Sequence, residues 1–97
     1  MGVEKLFSKS KVIQLLDSSN RRIGVVLLRR GEDVGFHGEG DFEERIIVLR
    51  GSGKIISDGS ERNVSEGEIV EVKSCVHNVI NDNSDILLYV YDCKVIK

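Results

Sequence analysis

His37 and His77 are the only imidazoles in the chain, and each lies in a short segment bounded by glycine. Glu39, Glu44, Gly31 and Gly51 surround the first; Gly67 and Asn81 accompany the second. Imidazole nitrogen and carboxylate oxygen together suit a divalent ion such as manganese, iron, zinc or nickel. His37 and Glu39 are two residues apart, so in an extended strand both side chains leave the same face. Glu44 follows across a glycine-bearing turn and can return toward them, while His77 arrives from a distant strand. The spacing predicts a metal site with His37, Glu39, Glu44 and His77 as ligands, or with Glu39 turned to solvent and the other three alone, drawn from three strands and leaving coordination positions open.

Such a site needs a scaffold of strands, and the pattern supplies one. Short apolar runs alternate with turn clusters every eight to twelve residues, which predicts an all-β sandwich or barrel. The expected strands are Lys11–Asp17, Ile23–Arg30, Val34–His37, Phe42–Leu49, Lys54–Ser57, Glu61–Val64, Glu68–Val72, Val76–Asn81 and Ile86–Cys93. Helix signals are nearly absent, and the first eight or so residues could form a helical turn or an extra strand. The chain has no proline, so its ten glycines, with Asn, Asp and Ser, must make the turns. Gly31, Gly51 and Gly67 are expected to supply backbone angles that a Cβ would resist.

Length and charge narrow the function classes. Ninety-seven residues make one domain spanning the chain, with one core. The net charge of −2 is spread evenly, with no basic stripe for a phosphate backbone, so nucleic acid is not an expected partner. No apolar run is long enough to span a bilayer as a helix, and the first eleven residues lack a signal peptide's apolar middle. The expected location is therefore cytoplasmic, with Cys75 and Cys93 as free thiols. Cys75, two residues before His77, could share its cavity or serve as a small buried hydrophobe; Cys93 and the pairs Arg21-Arg22 and Arg29-Arg30 read as structural or exposed. Two runs, Ile46–Leu49 and Ile86–Val90, look apolar on both faces. A homodimer with Ile47, Leu49, Leu88 and Val90 at its contact would cover the outer one, unless the N-terminal segment does.

The two clusters resemble the paired motifs of the cupin superfamily. Gly31, His37, Glu39, Glu44 and Gly51 match its first motif, with Glu39 in place of the second histidine. Gly67, His77 and Asn81 match the second, with Lys73 at the usual proline, Cys75 at a usual glycine, and a gap one residue short before His77. Glu44 rather than Glu43 has the motif spacing. The resemblance covers Gly31 to Val90 and implies a small antiparallel β-barrel or jelly roll, a cupin-like double-stranded β-helix. It also implies a bound divalent metal ion and a small-molecule ligand, and its activities range widely. A metal-dependent enzyme of dioxygenase or isomerase type acting on a small oxygen-bearing molecule is one expectation. A non-catalytic binding or sensor barrel, or a metal-free structural dimer, is the other. Two His with two Glu would hold a divalent ion at zero net charge, against +1 for three His with one Glu, and so would acidify bound water less.

Overall fold

The computed structural model describes residues 2–8, 10–38, 40–73 and 75–96. It opens with a 3-10 helix, Gly2–Phe7. Among the described residues eight strands follow: β1 Val12–Asp17, β2 Arg21–Arg29, β3 Phe42–Arg50, β4 Ser52–Ser57, β5 Ser60–Ser65, β6 Ile69–Lys73, β7 His77–Ile80 and β8 Ile86–Val95. They form two antiparallel sheets, in the orders β1-β2-β8-β3-β6 and β5-β4-β7. The sheets face each other as a jelly roll and are not closed into a continuous barrel.

Alternation along the strands decides what each sheet buries. In β3, Phe42, Glu44, Ile46 and Val48 point inward, while Glu43, Arg45 and Leu49 point out. Val26 and Leu28 of β2, Leu87 and Tyr89 of β8, Ile55 of β4, Val64 of β5 and Val79 of β7 complete the shared core. A one-residue slip of any of these strands would turn its apolar set out to water.

Two turns show why glycine is required. Gly51 joins β3 to β4 at a φ of 85°, and the carbonyl oxygen of Ile86 occupies the place where a Cβ would stand. Asp58 and Gly59 both have positive φ, as a two-residue hairpin between twisted strands demands.

The segment predicted as a strand over Val34–His37 is not a regular strand. It touches β7 through isolated bridges at Asp33–Ile80 and His37–His77. Gly35 and Gly38, both at positive φ, break the extended run on either side of Phe36 and His37.

The outer face of the larger sheet carries a second, smaller apolar cluster. Phe7 and Val3 of the N-terminal helix pack over Leu27, Ile86 and Leu88. The helical alternative for the N-terminus is thus the one adopted, and it covers one end of the outer face. Ile47 and Val90 remain partly exposed and Leu49 is 47% exposed. No helix of the described residues is long and apolar enough to cross a membrane.

Candidate metal centre

The backbone brings the two histidines together before their side chains do anything. His37 and His77 form an isolated antiparallel bridge and exchange both backbone hydrogen bonds, His37 N–H to His77 O at 3.0 Å and the reverse at 2.9 Å. Directly opposed residues of such a pair project their side chains to the same side. The ring centroids accordingly lie 4.3 Å apart. Glu44 reaches the same place from β3 in the facing sheet, so the site spans the sandwich.

One ligand atom each from His37, Glu44 and His77 lies within 4.8 Å of the others. His77 is fully buried and Glu44 nearly so, whereas His37 stands at the open side. Each ring makes the same local contact. His37 Nδ1 lies 3.0 Å from the Gly35 carbonyl oxygen, and His77 Nδ1 lies 3.0 Å from that of Cys75. A carbonyl oxygen only accepts, so Nδ1 carries the proton in both rings and Nε2 is left with its lone pair. This is the tautomer a metal ligand needs, set by a partner outside the coordination sphere.

His77 Nε2 is buried and has no hydrogen-bond partner, although Glu44 Oε1 lies 3.3 Å away. A lone pair facing a carboxylate oxygen at that distance needs a positive charge to reconcile them. A proton is one answer, and the histidine is tuned toward it. Burial opposes charging the ring, but the Glu44 carboxylate and the Cys75 carbonyl outweigh it and raise the His77 pKa. A divalent cation is the other answer, and the imidazole and carboxylate donors fit it.

Of the other expected residues, Glu39 lies outside the described residues. Glu43, the rival of Glu44, points outward toward Lys73 at 3.9 Å. Asn81 is fully buried but lies just past the far end of β7, after Ile80. Its side-chain amide donates to the Leu28 carbonyl, and its oxygen accepts from the Ser84 backbone N–H and hydroxyl. Cys75 contributes its carbonyl, and its partly buried side chain packs against the core.

Two adjoining recesses, of about 290 and 500 Å³, open beside the histidines and share Arg22, His37, Glu44 and Cys93 in their walls. Arg22 and Cys93 are functional candidates that reading the sequence alone placed in turns or structure. Strand register explains their position: Arg22 pairs with Cys93, and Cys93 pairs with Glu44, so the three form one inward row. Burial and the Glu44 charge raise the Cys93 pKa, which keeps a protonated thiol beside the carboxylate. Tyr91 lies one step along the sheet. Its ring covers Gly24, where any Cβ would collide with it, so the glycine makes the room for that wall.

No family model matches the sequence, and no curated protein matches it. Solved structures do. An RmlC-like cupin family protein with a double-stranded β-helix fold from Methanocaldococcus jannaschii is 26% identical, with a TM-score of 0.75 over 92% of this chain and 84% of that one. A cupin superfamily protein from Desulfitobacterium hafniense matches 99% of this chain and 90% of its own, at a TM-score of 0.79 and 14% identity. The protein is a cupin by fold. A third cupin-like neighbour, a predicted oxalate decarboxylase from Thermotoga maritima, has a TM-score of 0.79 at 19% identity, covering 88% of this chain and 79% of that one.

Proposed function

We propose that this cupin is a metal-dependent protein acting on a small oxygen-bearing molecule, with His37, Glu44 and His77 as its metal ligands. Glu39, two residues from His37, is the fourth ligand of this proposal. The observation that carries it is the buried His77 Nε2 facing Glu44 Oε1 at 3.3 Å with no hydrogen-bond partner. Buried polar atoms of folded proteins are almost always satisfied, so this exception calls for an explanation, and a bound ion is one that the imidazole and carboxylate donors fit. A divalent ion there supplies Lewis-acid polarisation of a carbonyl or hydroxyl oxygen. The chain's own groups do the rest. The Nδ1 tethers hold both rings in the ligating tautomer, Glu44 offsets positive charge, and the apolar walls at Val12, Val26 and Val34 limit water around a bound molecule.

Elemental analysis of protein purified without added metal tests the centre. Near-stoichiometric manganese, iron, zinc or nickel that disappears in His37→Ala and His77→Ala supports it. Absence of metal after reconstitution with each of these ions overturns it and favours a metal-free binding barrel.

A second reading concerns assembly. Val25, Val90, Ile47 and Ile69 pair in register across four strands of the outer face, giving a continuous apolar row. Beside it the next row alternates in sign, with Asp92, Arg45 and Glu71 in register. A row with both signs can meet an inverted copy of itself, so the proposed partner is a second copy of this chain. Leu49, Leu88, Ile47 and Val90 lie in or beside its contact. Light scattering should report a dimer that Leu49→Glu converts to monomer without lowering the monomer's melting temperature.

A further inference from the structure

The recesses beside the histidines hold one feature that the metal centre does not use. Among the described residues lining them, Arg22 is the one guanidinium, and no lysine joins it. Arg22 sits on the same inward row as Glu44, with Cys93 between them. Strand spacing puts the two backbones about 10 Å apart. A molecule reaching from the histidines along that row therefore meets a positive charge at its other end.

Arg22 already has a partner, Asp17, but the contact is loose. It runs through Nε at 3.4 Å, and both side chains are more than half exposed. Exposed pairs of this kind hold little free energy and exchange readily. A guanidinium also presents a planar fork of donors, which a carboxylate can engage with two parallel hydrogen bonds. The wall between the two ends is formed by Cys93, Tyr91 and Gln14, all able to contact a polar chain, with Val26 and Tyr89 deeper in. The charges make the ends unequal. Glu44 and Asp17 outnumber Arg22, so anion capture is weak in the metal-free chain and strengthens when a divalent ion adds its charge.

We propose that Arg22 is an anion anchor, and that the ligand of this cupin is a small molecule with a carboxylate, or an oxyanion of similar shape, at the end remote from His37, Glu44 and His77. This deepens the metal reading above, since it assigns the ligand's other end to those residues. Arg22 is thereby a specificity residue: neutral sugars and phenols of the same size lack the group it recognises.

The probes are malonate, succinate, glutarate and adipate, with butyrate as the one-ended control for glutarate. Titration calorimetry is run on wild type and on Arg22→Gln and Arg22→Lys, each metal-free and manganese-loaded. Manganese alone is titrated first. The expected result is an optimum within the dicarboxylate series and a loss of at least about tenfold in affinity for that dicarboxylate in Arg22→Gln. In the manganese-loaded protein butyrate binding stays unchanged, as does manganese binding itself, and Arg22→Lys falls between, because lysine keeps the charge and loses the fork. Equal dicarboxylate affinity in wild type and Arg22→Gln overturns the anchor, as does an equal loss for butyrate, or no binding of any dicarboxylate to wild type. The metal reading fails separately. If wild type takes up no manganese yet binds a dicarboxylate in an Arg22-dependent way, the anchor stands and the metal centre falls. Because Arg22 is exposed, its variants should melt with wild type, and a thermal scan confirms that they are folded.

Discussion

His77 at the start of β7 and Asn81 just past its end lie at the same depth of core and are treated in opposite ways. His77 and Asn81 are both fully buried. Asn81 is satisfied on every side: its amide bonds Leu28, its oxygen bonds Ser84, and its backbone exchanges hydrogen bonds with Gly31 and Glu32. The single Ser84 hydroxyl proton is shared among the Asn81 side-chain oxygen and the Ser52 and Ile86 carbonyls, and its oxygen accepts from the Ser52 N–H, so it links β4 to the start of β8. At the other end, His77 leaves Nε2 without a hydrogen bond and opposite a carboxylate. A closed polar network fixes a fold, whereas an open one holds a place for something else. The difference separates a closed polar end of this fold from an open one.

The largest effect should come from breaking the closed end. Asn81→Ala takes a side-chain partner from the buried Leu28 carbonyl and from the part-buried Ser84 N–H, and should destabilise the chain by about 2–4 kcal/mol, read by urea unfolding. Metal uptake per folded chain should not change. If uptake falls with stability, the two ends are not separable.

The open end should respond in reverse. Glu44→Gln lets an amide donate to His77 Nε2, so the metal-free variant should stay within about 1 kcal/mol of wild type. Its manganese affinity should fall at least as far as losing an outer-shell partner costs, about 10- to 100-fold. A variant that is both weaker in metal binding and strongly destabilised would assign Glu44 to the scaffold.

Acidity sharpens the contrast further. The folded His77 pKa is raised, because Glu44 and the Cys75 carbonyl outweigh burial. The groups around it are Glu44 from β3, His37 from the bridged segment and Cys93 in the shared recess. A raised pKa contributes stability that is complete below the unfolded value of about 6.5 and is lost as pH rises through the folded value. Metal-free protein should therefore lose stability as pH climbs from about 6.5, while manganese binding tightens over the same interval. His77→Gln should flatten that slope and Asn81→Ala should keep it, as melts across the range would show.

The smallest effect is a control on strand parity. Glu43→Gln, one residue from Glu44 but on the outer face, should change stability by less than about 0.5 kcal/mol and leave metal uptake intact.

Most of the scaffold was legible from the residues because strands advertise their period. Apolar runs such as Phe42–Leu49 mark strands and the glycines mark turns, while the inward face of that strand, Phe42, Glu44, Ile46 and Val48, shows only in the structure because Ile46–Leu49 reads as apolar on both faces. The choice of Glu44 over Glu43 follows from motif spacing and agrees with that parity. What escaped depends on register between strands rather than on any one strand. Arg22 looked like a turn charge beside Arg21, yet Arg21 pairs with Asp92 on the outside while Arg22 faces in. Cys93 looked structural because nothing local ties it to Glu44, forty-nine residues earlier. The sequence around His37 reads as a strand, but two glycines at positive φ leave only bridges there.

Those bridges matter beyond geometry. His37 and His77 are forty residues apart in the chain, and their amides are already clasped without help from either ring. The entropy of drawing so long a stretch of polypeptide together is met by the fold itself. An ion arriving there would find its donors assembled, and the free energy of capture would go into coordination bonds rather than into gathering a wandering loop.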